Sequence, residues 1–378
     1  AVARLRGDAR PLPPGVHLGD GSAPAGKVAV LFSGQGSQYP DMLREPALHF
    51  EPLRGALEAA DRALATAFGE RFGAGARLSE FIFPRGAYDD AAKAEARRRL
   101  TGTDVAQPAL GAVEVGLWRL LRALGLPVDM VAGHSYGEFV ALHAAGAIDF
   151  DALMQLSAAR GRFIVDAAQA EGAELGTMAA VSAPRKDVED AIADIDGVII
   201  ANHNAPAQSI LSGTRDAVQA ASARLQQAGL EVTPIPVAAA FHSALVRPAQ
   251  ALLAAQIEAP SWAPATLPVY SNTTARPHAA DVARVKKQMA EHLVRPVEWV
   301  AEVEAMAGDG ATVFVEVGPK AVLARLTGRI LEGRPHLAVA LDDGSGLPGL
   351  LSGLAQLVCA GLPLAVGRLF EGRDCRLG

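Results

Sequence analysis

The feature that most constrains this chain is the hexapeptide Gly133-His134-Ser135-Tyr136-Gly137-Glu138. An apolar stretch, Met130-Val131-Ala132, precedes it, and an apolar helical stretch runs on through Ala145. A strand that turns through Gly-x-Ser-x-Gly straight into a helix needs a glycine on each side, because a Cβ there clashes in so sharp a turn. The pattern commits the chain to a sheet with helices packed on it. It also thrusts Ser135 out at the C-terminal edge of that sheet. The N–H of Tyr136 then points at the same place, and the helix N-terminus adds partial positive charge favouring an anion.

The rest of the chain supplies the sheet and its cover. Val28-Ala29-Val30-Leu31-Phe32 reads as a first strand, stopped at Ser33-Gly34. Helical stretches follow from about Pro40 to Thr66, then a charged segment from Pro84 to Arg99 reads as an exposed loop and helix. Gln107 to Leu124 is apolar on most faces and predicts a buried helix. Between Leu175 and Val237 the order strand, helix, strand, strand, helix, strand is that of a split βαβ, ferredoxin-like unit. Thr214 is its predicted N-cap and Gly229 its predicted C-cap on the second helix. The chain then returns to α/β texture: strand LPVYSN, helix VARVKKQMAEHL, strand TVFVEVG and helix VLARLTGRIL.

Composition narrows the function classes. A formal charge of -6 gives no reason to expect nucleic acid. No run approaches the ~20 apolar residues of a membrane span. The two cysteines, Cys359 and Cys375, make no disulfide framework, which fits a reducing cytoplasm. No His/Cys/Asp cluster has metal-ligand spacing, so no metal is expected.

A serine nucleophile needs a base, and there are nine histidines. His134 adjoins the serine but points elsewhere at such an elbow, as a packing or hydrogen-bonding residue. His242, in Ala239-Ala240-Phe241-His242-Ser243, sits where the small unit rejoins the main body, a good place for a cleft. By position alone the favoured reading is a capping or solvated histidine.

At this point the motifs resemble a known family, the malonyl-CoA:acyl-carrier-protein acyltransferases of fatty-acid and polyketide synthesis. Gly34-Gln35-Gly36-Ser37-Gln38 is similar to that family's N-terminal motif, and GHSYGE to its nucleophile motif. Arg160 stands at the spacing of its carboxylate-binding arginine, and Phe241-His242 at that of its specificity motif and base. The resemblance implies Ser135 and His242 as the catalytic pair, with the backbone N–H groups of Gln35 and Tyr136 as the oxyanion hole. It implies a substrate-binding set of Arg160, Phe241, Gln35 and His134. The resemblance also implies that a main-chain carbonyl, in place of an acid, orients the base; counting from Pro296-Val297-Glu298-Trp299 puts it near His292. Arg162 is the decoy for Arg160, two residues on and on another helix face.

The implied fold is α/β: an α/β-hydrolase-like large subdomain with a parallel sheet, plus the inserted ferredoxin-like (βαββαβ) small subdomain. The expected division is a linker over 1–26, the large subdomain over 27–174 and 238–345, the small one over 175–237, and a post-domain linker over 346–378. Asn202-His203-Asn204-Ala205-Pro206 and Glu316-Val317-Gly318-Pro319 match weaker motifs, read as structural. The expected reaction carries malonyl from malonyl-CoA to an acyl carrier protein. No cofactor is bound permanently: a coenzyme A thioester is the substrate and the carrier's phosphopantetheine the acceptor. Ser79 to Pro84, Thr103 to Ala109 and Pro363 to Arg373 resemble polyunsaturated-fatty-acid synthases and enediyne-type iterative polyketide synthases, which implies a neighbouring ketosynthase domain. One departure concerns selectivity: Ala239 stands where malonyl-selective domains have a histidine, although Phe241 is kept. Two other readings use the same residues, an acyl hydrolase on the same Ser–His pair and a non-catalytic docking module. Arg160 argues against the first, and the joint presence of Ser135, His242, Arg160 and Gln35 against the second.

Overall fold

A computed structural model describes residues 12–13, 15–19, 26–86, 89–170, 175–237 and 239–372. Cys375 and most of the 1–26 segment lie outside the described residues. Among the described residues eight strands form two separate sheets: β1 (Lys27–Phe32), β2 (Met130–Gly133), β3 (Thr177–Ser182), β4 (Val198–Ala205), β5 (Gln208–Gly213), β6 (Glu231–Ile235), β7 (Ala311–Val317) and β8 (Leu337–Ala340).

The first sheet has the order β2-β1-β7-β8, and every pairing in it is parallel. Its strands carry continuous apolar runs because helices cover both faces. From Val28 to Phe32 every residue of β1 is buried. On one face lies the 21-residue helix Thr103–Ala123, buried over most of its length, which starts four residues before the stretch the sequence marked. On the other face Trp299, Val303 and Met306 pack with Leu323 and Leu326 against Leu31 and Phe314.

The second sheet has the order β4-β5-β3-β6, all antiparallel, with helices Arg185–Ile192 and Arg215–Gln227 in the connections. Strand, helix, strand, strand, helix, strand is the order the sequence implied. Val181, Val188, Leu211, Val218 and Leu225 make a small core of their own. Thr214 caps the second helix by accepting from Ala217 N, and Gly229 follows its end at φ +81°.

Three places differ from the sequence reading. LPVYSN forms no strand of its own: it makes one parallel bridge, Val269 to Val131, and Pro268 and Tyr270 bond the backbone of Val131. Tyr270 then bridges Pro277 antiparallel, so the chain doubles back on itself instead of extending the sheet. Strand β8 was not anticipated, because its four residues are too few to show a period. The segment from 346 onward carries the helix Leu347–Cys359, whose Leu350, Leu354 and Leu357 join the main core. His17 from the N-terminal segment bonds Ser352 on that helix at 2.9 Å.

Candidate active site

The turn after β2 is built as its glycines require. A Cβ on Gly133 would lie 2.0 Å from the carbonyl of Gly137, and one on Gly137 would lie 2.3 Å from Phe32 O. The two glycines let the new helix, Gly137–Ala144, start against the end of β1. Between them Ser135 is held at φ +50°, a left-handed conformation that costs a non-glycine residue of order 1–3 kcal/mol. Strain of this kind persists only where the surroundings impose it.

The partner of Ser135 is His242, and it too is left-handed, at φ +57°. Ser135 Oγ lies 2.8 Å from His242 Nε2. The other ring nitrogen, Nδ1, is 2.8 Å from Arg295 O and 3.2 Å from His292 O. A carbonyl only accepts, so Nδ1 carries the proton and Nε2 is left to accept from the serine. The expectation that His292 supplies the orienting carbonyl is thus corrected in part: Arg295 supplies the nearer one. The short 3₁₀ turn His292–Val294 folds both carbonyls onto the ring, which counting along the sequence does not reveal. Burial, then the neighbouring His292, Arg160 and His134, push the His242 imidazole well below the ordinary histidine value. A neutral imidazole hydrogen-bonded to a serine hydroxyl can accept its proton.

Arg160 sits on the helix Phe150–Gln169 and is only 2% exposed. The next residue, Gly161, lets this helix touch the start of Thr103–Ala123; a Cβ there would lie 2.3 Å from Thr103 O. Among the described residues the Nε and Nη2 of Arg160 have no hydrogen-bond partner. Burial pushes its pKa down to about 10, with the nearby Tyr136 pulling the other way. A buried guanidinium with two free donors is a receptor for an anion. Arg162 is exposed and lies over the Phe163 ring at 5.2 Å, off the site.

Ser135, His242, Arg160, Gln35, His134 and Phe241 line one cavity of about 710 Å3. Gln35 is fixed through its side chain, which donates to Thr103 Oγ1 at 3.1 Å and accepts from Gln107 at 3.2 Å. Among the described residues the backbone N–H groups of Gln35 and Tyr136 have no acceptor. His134 is turned away from Ser135, bonded to Asn204 Oδ1 at 2.8 Å and set edge-on to Trp299. Asn202 and Asn204, read from the sequence as structural, also reach the cavity wall. Phe241 is half-buried between the antiparallel sheet, at Met178 and Ile210, and a second cluster that includes Ile164, Val246 and Leu293, and its carbonyl accepts from Ser212.

This geometry has counterparts. Residues 30–340 match the acyl transferase domain family. The chain belongs to that family. It is 33% identical over 350 residues to a polyunsaturated fatty acid synthase polypeptide of Thraustochytrium sp., a match covering 91% of this chain and 12% of that one. It is 31% identical over 317 residues to the malonyl CoA-acyl carrier protein transacylase of Bacillus subtilis, covering 83% of this chain and 93% of that one. The crystal structure of the acyltransferase domain from the second module of the salinomycin polyketide synthase superposes with a TM-score of 0.78 at 31% identity. That match covers 92% of this chain and 76% of that one. The chain therefore spans about an eighth of the Thraustochytrium synthase polypeptide it matches.

Two residues of this acyl transferase domain were missed by sequence reasoning. Asn272 accepts the backbone N–H of Ser135 at 2.6 Å and donates to Gly133 O and to Glu302. Glu138, the last residue of the hexapeptide, is fully buried, 2.7 Å from His278 and 3.2 Å from His292, and accepts from Asn272 N. Burial works to raise its pKa, but the charges and hydrogen bonds of His292 and His278 win and hold it well below the carboxylate range. An asparagine far along the chain carries no local signal; Glu138 was in view but had no partner in the sequence. Among the described residues no group of His, Cys, Asp and Glu is placed to hold a metal ion, and no helix is long and apolar enough to cross a membrane.

Proposed function

We propose that this chain transfers a malonyl group from malonyl-CoA to the phosphopantetheine thiol of an acyl carrier protein, through a malonyl ester on Ser135. The observation that carries the reading is the unpartnered, buried guanidinium of Arg160 in the same cavity as the Ser135–His242 pair. Malonyl differs from acetyl by one carboxylate, and a bidentate guanidinium suits it. Left unpaired beside acetyl, the same group is penalised, so one residue selects and rejects.

The steps follow from the geometry. Ser135 gives its proton to His242 Nε2 as Oγ attacks the thioester carbonyl. The oxyanion falls to the free N–H groups of Tyr136 and Gln35, where one donor is typically worth about 10²–10³ in rate. His242 returns the proton to the departing thiolate. The carrier's thiol then gives its proton to His242 and attacks the ester, and Ser135 leaves with that proton. No permanently bound cofactor enters any step. The name of the Bacillus subtilis relative supports the substrate pair. The synthase relatives support a place in a cytoplasmic polyketide- or polyunsaturated-fatty-acid-type multienzyme beside a ketosynthase domain, and the enediyne-type iterative class belongs to this proposal.

Intact-mass measurement after brief mixing with malonyl-CoA, followed by peptide mapping, tests the reading. One malonyl per chain on the Ser135 peptide, discharged by added holo-carrier protein, is the expected result. Label on Cys359 or Cys375 instead overturns the mechanism. Rapid release of free malonate without a carrier would favour the hydrolase reading.

A further inference from the structure

The cavity that holds Ser135 and Arg160 also reaches two further cations, Arg97 and Lys320. We propose that Arg97 and Lys320 form a phosphate grip at the cavity mouth, taking the 4′-phosphate ester of the pantetheine arm. This rests on the transfer reading above and names the part of both substrates that the mouth recognises.

Arg97 stands in the run Arg97-Arg98-Arg99 on the helix Asp90–Thr101. Its two neighbours are engaged elsewhere: Arg98 pairs with Glu95, and the Arg99 guanidinium lies 4.5 Å over the Phe81 ring. Arg97 alone of the three lines the cavity that holds Ser135, and among the described residues no carboxylate pairs with it. Lys320 follows the end of β7 in a left-handed conformation, φ +76°. Its Nζ donates to Gly36 O at 3.2 Å, in the loop that carries Gln35, and among the described residues it too has no carboxylate partner. Burial lowers the Lys320 ammonium pKa, and the charge of Arg97 lowers it further, so the two cations are near enough to repel. Two cations lining one cavity, with no carboxylate partner among the described residues, are relieved by an anion.

The chemistry of the arm identifies that anion. Arg160, deep in the cavity, already meets the carboxylate at the reacting end. Outward from the thiol a pantetheine chain is neutral amide and methylene, and its first charge is the 4′-phosphate. The rest of the cavity lining suits such a chain: Met178, Ile210, Ile235 and Val237 are apolar, while Asn202 and Asn204 bring amide side chains. Coenzyme A and the carrier-bound arm share this phosphate, so one grip serves donor and acceptor.

The test compares three malonyl donors on wild type, Arg97→Ala, Lys320→Ala and the double variant: malonyl-pantetheine, malonyl-4′-phosphopantetheine and malonyl-CoA. Acylation of Ser135 is read as kcat/KM. The double variant is expected to lose roughly tenfold or more, mainly in KM, with both phosphate-bearing donors. With malonyl-pantetheine it should stay within about twofold of wild type, which also reports that it is folded. Discharge of the malonyl enzyme by free phosphopantetheine, against pantetheine, should show the same split. A loss with malonyl-CoA alone would assign the cations to the nucleotide end and overturn the 4′-phosphate grip. So would an equal loss with all three donors, or no loss at all. Failure of wild type to accept malonyl from any donor would sink the transfer reading instead, a separate result.

Discussion

Asn272 Oδ1 accepts the backbone N–H of Ser135 at 2.6 Å, although 137 residues separate them in the chain. The same side chain donates to Gly133 O at 2.6 Å, so one amide ties both ends of the strained turn. The left-handed backbone of Ser135 is therefore held from outside its own segment. Leaving a buried donor and a buried carbonyl unsatisfied costs about 1–3 kcal/mol each. Asn272→Ala is expected to lower kcat by roughly tenfold or more, with little change in KM, because the serine loses its alignment rather than its substrate. Steady-state kinetics on a variant that keeps a cooperative melt checks this. A normal kcat there would make Asn272 only a packing residue.

The pH profile follows from His242. The general base must be neutral, and burial together with His292, Arg160 and His134 depresses its pKa below the ordinary 6.5. The base is protonated only as pH falls through that lowered value. The acid limb of kcat/KM should accordingly lie below pH 6.5. The same depression means that stability contributed by the neutral, buried ring is present above 6.5 and lost as pH falls through the folded value. An acid limb above 6.5 in a rate profile limited by acylation would contradict this assignment.

Arg160 should behave as a selector. Arg160→Ala is expected to reduce malonyl transfer by roughly tenfold or more, the loss of at least one charged hydrogen-bond pair. Acetyl transfer should fall far less, or rise, since no unpaired guanidinium remains to penalise it. Parallel initial rates with malonyl-CoA and acetyl-CoA decide the matter. An equal fall in both would make the residue structural. The exposed Arg162, with its guanidinium over Phe163, should tolerate replacement by alanine with both rates intact.

Phe241 directly precedes the base and lines the cavity. Methylmalonyl brings one methyl more than malonyl, and overfilling a close-packed site costs about 1–3 kcal/mol. Phe241→Ser is expected to narrow the malonyl-to-methylmalonyl ratio of kcat/KM without abolishing malonyl transfer. Phe241 also packs between the antiparallel sheet and the cluster around Ile164 and Leu293, so a drop in melting temperature should accompany the change. A less stable variant with an unchanged ratio would leave the ring a purely structural role.

The sequence by itself determined what local pattern can encode. Apolar runs bounded by glycine marked β1 and β2, alternating strand and helix textures marked the small sheet's connectivity, and the spacing Gly133-x-Ser135-x-Gly137 demanded the turn that exposes Ser135. Each of these rests on contacts between near neighbours, or on steric limits within one turn. Local pattern could not say which histidine meets Ser135; the family resemblance named His242, and the tertiary structure brings it there across 107 residues through a chain junction without a period of its own. The nearer orienting carbonyl of Arg295, the tie from Asn272 and the buried partners of Glu138 lay beyond the sequence for the same reason, while the carbonyl of His292 was reached only through the family resemblance. A carbonyl is present at every residue, and an asparagine or glutamate is ordinary anywhere on a surface. What makes these groups matter is burial beside one another, and burial is a property of the closed fold.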